Sequence, residues 1–251
     1  MAIAIEVKIK GVHDMVLEHD IDVPMSDGAL LKANLFRPDD GGKYPVLMTF
    51  GPYSNDIHFS QHRQASWDSM IEDNPEILDH SSGRWMVFET PDPESWVPHG
   101  YVVIRVDSRG AAKSPGKLDA NSPQEFADFH DAIEWAGAQP WCNGKVGLLG
   151  ISYYACGQWM VAAGRPKHLA AILPWQGTCD FYRGAPARGV FSATASSACG
   201  GAASSARASA AKPAHPGSRV LPPRAFSKGR YAPPAAITLR VPLDKNRPPE
   251  A

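Results

Sequence analysis

The chain has 251 residues, of which 43% are hydrophobic and 20% are charged, and its formal net charge at pH 7 is −1. This balance gives no electrostatic reason to expect a nucleic acid or membrane partner, and no apolar run reaches the roughly 18 residues that cross a bilayer. The four cysteines have neither paired nor Cys-x-x-Cys spacing, which is typical of reduced thiols in a cytoplasmic protein.

Strands that alternate with helical stretches are predicted for the first half of the chain. Residues 1–10 alternate like a strand and lack a signal-peptide core. Residues 44–50 and 101–107 are apolar runs that predict buried strands; the first leads to Tyr53 and the second to a loop that contains Arg109. The pattern predicts a parallel sheet with helices on both faces, and in such sheets functional residues collect at the carboxyl ends of the strands.

A long insertion is predicted between these two strands, at residues 56–94. It contains Trp67 and Trp85 among polar residues, so it either forms the wall of a substrate cleft or simply packs against the sheet. Histidines in and around it are scattered without the spacing of metal ligands, and the chain has no Gly-x-x-x-x-Gly-Lys phosphate loop. No metal or other cofactor is therefore expected.

Ser152 is the main candidate for a catalytic residue. The apolar run at residues 145–149 predicts a buried strand, and residues 155–163 predict a helix, so Ser152 follows Gly150 at a sharp strand-to-helix turn. A nucleophilic serine occupies this position in Gly-x-Ser-x-Gly elbows, but Tyr154 stands here where the second glycine is usual. A serine that merely caps the helix is the alternative.

Several motifs in order resemble the cocaine-esterase and Xaa-Pro dipeptidyl-peptidase-like branch of the α/β-hydrolases. The resemblance begins at residues 23–38, which are similar to the opening hairpin of the family, and includes Gly51-Pro52-Tyr53, Asp107-Ser108-Arg109-Gly110 and residues 135–141. It continues past the elbow through residues 171–177 and 180–183. The elbow of that branch is commonly Gly-x-Ser-Tyr-x-Gly, which Tyr153 matches and Ala155 does not.

The resemblance implies a mostly parallel α/β-hydrolase sheet and a role for each of three residues. Ser152 would attack an ester or amide carbonyl, and the oxyanion would be bound by the backbone N–H of Tyr153 and the phenol of Tyr53. For Tyr53 the alternative is a half-buried aromatic at the end of a strand. Arg109 is assigned a structural role instead, pairing with carboxylates to hold its loop.

A change of composition divides the chain into residues 1–191, the incomplete hydrolase domain, and residues 192–251. The second segment holds 15 Ala, 9 Pro and 8 Ser and has a net charge of +7 against −8 for the first. It offers no periodic apolar face, so a disordered tail is expected. Either the tail is a genuine basic extension or it arises from a shifted reading frame or splice junction; the abrupt change favours the shift. The helical cap and the carboxy-terminal jelly-roll of the family are not recognisable.

Catalysis by Ser152 requires an acid and a histidine, which follow the serine in α/β-hydrolases. After Ser152 the sequence has only His168 and His215, and its acids are Asp180, Asp244 and Glu250. His168 is interpreted as a solvent-facing loop residue, so no convincing triad partner is found. We expect a serine hydrolase acting on a small ester, amide or peptide, impaired as written. The alternative is a non-catalytic binding protein whose basic tail contacts an acidic partner.

Overall fold

The computed structural model describes the backbone of residues 5–9 and the backbone and side chains of residues 15–180; the predicted tail at residues 192–251 lies outside the described residues. The strands are β1 (Ile5–Ile9), β2 (Met15–Pro24), β3 (Leu30–Pro38), β4 (Tyr44–Gly51), β5 (Val102–Asp107), β6 (Cys142–Ile151) and β7 (Leu169–Trp175). The helices are α1 (Phe59–His62), α2 (Gln64–Asp73), α3 (Ile77–His80), α4 (Pro93–Trp96), α5 (Pro123–Gly137) and α6 (Tyr153–Ala163), with a 3₁₀ turn at Val97–His99.

The seven strands form one mixed sheet in the order β1-β2-β3-β5-β4-β6-β7. β1, β2 and β3 pair in antiparallel fashion, and β3 is also antiparallel to β5. β5, β4, β6 and β7 are parallel, so their carboxyl ends lie at one edge. The predicted α/β class, the opening hairpin and the parallel half of the sheet are confirmed.

Alternating side chains of β5 separate two hydrophobic clusters, one on each face of the sheet. Val102, Ile104 and Val106 belong to the larger cluster, to which α5 contributes four residues: Phe129, Ala132, Ile133 and Ala136. Val103 points to the smaller cluster, which includes Val97 of the 3₁₀ turn. Each fully buried Val or Ile contributes about 1.5–3 kcal/mol through burial of apolar surface. This packing fixes the strands whose ends form the candidate site.

The Arg109 loop is held as the sequence predicted. The Arg109 guanidinium donates to both carboxylate oxygens of Asp128 on α5, over 2.9 and 2.7 Å, and pairs with Asp27 at 2.9 Å. Asp128 is buried, so the bidentate bond holds the loop after β5 against α5.

The start of β6 differs from the prediction. β6 begins at Cys142, three residues earlier than the sequence predicts, because Tyr44 pairs with Cys142 and its N–H bonds to the Trp141 carbonyl over 2.9 Å. This pairing overrides the turn propensity of Asn143-Gly144.

Among the helices of the described residues, none has the length and apolarity needed to cross a bilayer.

Candidate active site

Ser152 lies between the last residue of β6 and the first residue of α6, at the predicted elbow. Its backbone has φ 55° and ψ −110°, a region that non-glycine residues rarely adopt and that costs of order 1–3 kcal/mol. Neighbouring bonds hold it there: its N–H donates to the Trp175 carbonyl over 3.0 Å, and its carbonyl accepts from Ala155 and Cys156 over 3.1 Å. The residue is exposed, as a nucleophile that has to meet a substrate must be.

Tyr154, the apparent misfit in the elbow motif, is accommodated by two glycines. A Cβ at Gly150 would lie 2.3 Å from Tyr154 Cβ, and one at Gly51 would lie 2.6 Å from the Tyr154 ring. Only hydrogen atoms at these positions leave room for the buried ring. The phenol oxygen of Tyr154 accepts the backbone N–H of Tyr53, so this residue joins the end of β4 to the elbow.

Tyr53 lies two residues after β4 and packs beside the elbow. Its ring centroid is 5.8 Å from that of Tyr153 and 5.5 Å from that of Tyr154. The structure thus brings Tyr53, Tyr153 and Ser152 into one cluster at the carboxyl end of the parallel strands. The assignment of the Tyr53 hydroxyl to the oxyanion hole stays a prediction.

Tyr153 is anchored at its phenol end. The hydroxyl donates to Glu125 Oε2 over 2.6 Å, and the buried Glu125 also accepts from Ser108 Oγ over 2.7 Å. These bonds tie the first residue of α6 to α5 and to the loop after β5. The backbone N–H of Tyr153, which the sequence assigns to the oxyanion hole, is thereby fixed in position at the start of its helix.

Glu89 is a component of the site that the sequence did not reveal. Its carboxylate accepts hydrogen bonds from the Ser152 hydroxyl and the Tyr153 backbone N–H. Burial raises the pKa of this carboxyl to about 7, although the positive charge of Arg63 and both hydrogen bonds oppose that shift. No motif marks Glu89, since it comes from the irregular insertion and reaches the elbow only in the folded chain.

Aromatic side chains of the insertion line the same region. Phe88 lies 5.9 Å from Tyr53 between ring centroids, and the His62 ring stacks on Phe88 at 5.0 Å. Phe59 contacts Phe88 at 5.2 Å. The insertion therefore packs beside the elbow, and its role as the wall of a substrate cleft stays a prediction.

His168 is not a solvent-facing loop residue, and it is not near Ser152. It precedes β7, and its ring nitrogen Nδ1 contacts Glu134 Oε2 on α5 at 3.0 Å with 20% of its side chain exposed. Its carbonyl accepts from Val146 near the start of β6, whereas Trp175, at the other end of β7, bonds to Ser152. Seven residues of strand separate the two ends by roughly 20 Å. Within residues 15–180, no histidine hydrogen-bonds to Ser152.

One group of potential metal ligands occurs in the described residues. His19, Asp20 and Asp56 place one ligand atom each within 4.8 Å of one another. The ammonium of Lys113 lies 2.7 Å from Asp20 and 3.0 Å from Asp56, so it already neutralises the carboxylates. An ion-pair cluster explains this arrangement.

The strained Ser152 lies between a strand of a parallel sheet and a helix, which is the arrangement of an α/β-hydrolase site. Comparisons with known proteins agree. The model of the X-Pro dipeptidyl-peptidase (S15) family matches residues 27–226. The chain belongs to this family, which confirms the resemblance found in the sequence. The matched residues extend past 192, while the predicted division of the chain at that residue stays a prediction.

Individual relatives share only part of their length with this chain. Cocaine esterase of Rhodococcus sp. (strain MB1 Bresler) is 33% identical over 164 residues, which cover 65% of this chain and 24% of the esterase. Xaa-Pro dipeptidyl-peptidase of Lactobacillus helveticus (strain DPC 4571) is 27% identical over 213 residues, which cover 66% of this chain and 26% of the peptidase. A CocE/NonD family hydrolase from Staphylococcus aureus, known from a crystal structure, is 40% identical in sequence and matches with a TM-score of 0.59. The match covers 68% of this chain and 29% of the hydrolase. The chain therefore spans about a quarter of the length of these relatives.

Proposed function

We propose that this chain carries the nucleophile and the oxyanion hole of a serine hydrolase that cleaves a small ester, amide or Xaa-Pro peptide. The observation that carries the proposal is the strained backbone of Ser152 between β6 and α6. A serine that only caps a helix has extended backbone angles, as Ser122 does before α5 with φ −82° and ψ 160°. The side chain of Ser152 forms no capping bond to its helix, which supports the nucleophile over the helix cap.

In the proposed reaction, Ser152 Oγ attacks the carbonyl carbon of the substrate. The C–O double bond becomes a single bond, and the negative oxygen accepts hydrogen bonds from Tyr153 N–H and the Tyr53 phenol. The alcohol or amine leaves with a proton, and water then hydrolyses the acyl-enzyme. The aromatic side chains of Tyr53, Phe88 and His62 form the wall on which an acyl or leaving group would pack.

A general base has to accept the proton of Ser152 before this attack. Since no histidine of residues 15–180 bonds to the serine, we propose that the base and its acid lie outside those residues, and that hydrolysis by this chain is slow. An oxyanion hole and binding alone leave roughly 10³–10⁴-fold catalysis over water.

The test is turnover of p-nitrophenyl esters by the chain and by its Ser152→Ala variant. A slow rate that Ser152→Ala abolishes supports the proposal. Equal rates in both proteins would contradict the assignment of Ser152 and favour the non-catalytic binding protein. A rate typical of efficient hydrolases, lost in Ser152→Ala, would keep the nucleophile but refute the proposal that hydrolysis by this chain is slow.

A further inference from the structure

Glu89 holds an unusual position beside the elbow. Its backbone has φ 62°, which costs of order 1–3 kcal/mol for a residue with a side chain. Its carbonyl accepts the N–H of Ile151, the last residue of β6, over 3.2 Å. The strained loop is thus joined to the strand immediately before Ser152, and the Glu89 side chain is held at the site.

The two hydrogen-bond donors of Glu89 identify the place that its carboxylate occupies. The donors are the hydroxyl of Ser152 and the backbone N–H of Tyr153, while the buried Oε2 has no hydrogen-bond partner in the described structure. During acyl transfer the substrate oxygen has to lie beside the nucleophile and within hydrogen-bond distance of the same N–H. The Glu89 carboxylate accepts from both of these groups and therefore competes for that place.

We propose that the Glu89 carboxylate occupies the oxyanion hole of the resting site, so that a substrate carbonyl binds productively only after this side chain is neutralised or displaced. The inference rests on the proposed function and adds a mode of regulation to it. An ionised Glu89 competes twice with the substrate: it holds the Tyr153 N–H by a charge-assisted bond, and it repels the developing oxyanion. A neutral Glu89 is a weaker acceptor and yields the N–H more easily.

The groups around Glu89 determine at which pH this change occurs. Burial disfavours its charge and raises its pKa to about 7, against the attraction of Arg63 at the start of α2. His62 of α1 lies next to Phe88, and burial together with Arg63 holds its pKa below the usual value of 6.5. His62 is therefore neutral above pH 6.5. The rings of Tyr53 and Tyr153 complete the surroundings.

The expected size of the effect follows from the fraction of neutral Glu89. With a pKa near 7, about nine-tenths of the molecules carry neutral Glu89 at pH 6 and about one in thirty at pH 8.5. If only these molecules react, blocking by Glu89 slows the reaction of Ser152 roughly 30-fold between the two pH values. Removal of the carboxylate abolishes this change.

Labelling by a fluorophosphonate probe measures access to the hole. Ser152 Oγ forms a bond to phosphorus, fluoride leaves, the serine proton passes to solvent, and the phosphoryl oxygen enters the hole. Rates are compared for the native chain, Glu89→Ala and Glu89→Gln between pH 6 and 8.5, with Glu72→Gln, an exposed residue of α2, as the control. Since hydroxide affects all four proteins alike, the ratio of each variant rate to the native rate is the relevant quantity.

We expect the ratio for Glu89→Ala to be near 1 at pH 6 and to rise 10- to 30-fold by pH 8.5. Glu89→Gln, which keeps the shape but cannot ionise, should show a rise of the same size, and Glu72→Gln should stay at 1. If Ser152 is labelled but the ratio does not change with pH, the proposed blocking by Glu89 is overturned and the proposed function stays intact. Slower labelling of both Glu89 variants would also overturn this blocking, because Glu89 would then assist the serine.

Absence of labelling in every protein would refute the proposed function and, with it, the blocking by Glu89. An independent readout is the amide signal of Tyr153 in NMR spectra, which needs no reaction. In the native chain it should shift with a midpoint near pH 7, and in Glu89→Gln this titration should disappear. A Tyr153 signal that does not titrate in the native chain would overturn the proposed blocking by Glu89. Glu89→Gln also decides the question if Glu89→Ala fails to fold.

Discussion

Gly150→Ala should displace the nucleophile, because the structure leaves no room for a side chain there. The added Cβ would lie 2.3 Å from Tyr154 Cβ and 3.2 Å from the Tyr154 carbonyl group. Carbon atoms in contact stay about 3.5–4.0 Å apart, so β6 and α6 would have to separate by roughly 1 Å. Neither atom is on a flexible side chain, so we expect the upper end of the overpacking range, about 3 kcal/mol of unfolding free energy. For a domain of this size the melting temperature should fall by about 6–12 °C.

Gly147→Ala is the matched control on the same strand. Its Cβ would be 3.5 Å from Leu47 Cδ2, an ordinary contact, and we expect a change of less than about 1 kcal/mol. The assays are urea unfolding followed by tryptophan fluorescence and fluorophosphonate labelling of Ser152. A displacement of 1 Å is expected to slow labelling about 100-fold in Gly150→Ala alone. Equal stability and equal labelling of the two variants would refute the elbow packing described here.

Three further predictions concern single side chains. Tyr53→Phe should slow labelling of Ser152 about 10²–10³-fold if its phenol binds the oxyanion; an unchanged rate would restrict Tyr53 to packing. Arg109→Ala should reduce the unfolding free energy by about 3 kcal/mol, since it leaves Asp128 charged and buried, and the double variant with Asp128→Ala should lose less than the sum of the single variants. Burial raises the pKa of Asp107 to about 8, so the folded state binds more protons than the unfolded state between about pH 4 and 8, and stability falls as pH rises through that range. Asp107→Asn should remove this loss; urea midpoints at pH 5 and 8.5 that differ equally in both proteins would contradict it.

The parts of the site that local patterns encode were predictable. An apolar run before Gly150 and a helix after it predict the elbow, and the apolar run that ends before Tyr53 predicts the neighbouring strand. Arg109 was assigned to its structural role because a guanidinium in a loop after a buried strand requires carboxylate partners. Each of these inferences depends on residues close in sequence.

The parts that depend on long-range contacts were missed. Glu89 reaches Ser152 from an irregular insertion, and only the bond from Ile151 to its carbonyl and a positive φ bring it there. The sequence predicts a surface position for His168 because its partner, Glu134, is 34 positions earlier. The role of Gly51 in leaving room for Tyr154 likewise appears only when β4 and α6 are side by side.

The central claim is that Ser152 is the nucleophile of the site and not a helix cap. The most direct measurement is mass spectrometry of the chain after fluorophosphonate treatment, with the modified residue located by peptide mapping. The account predicts one adduct per chain, on Ser152, and no adduct in the Ser152→Ala variant. An adduct on another residue, or one that persists in Ser152→Ala, would contradict it.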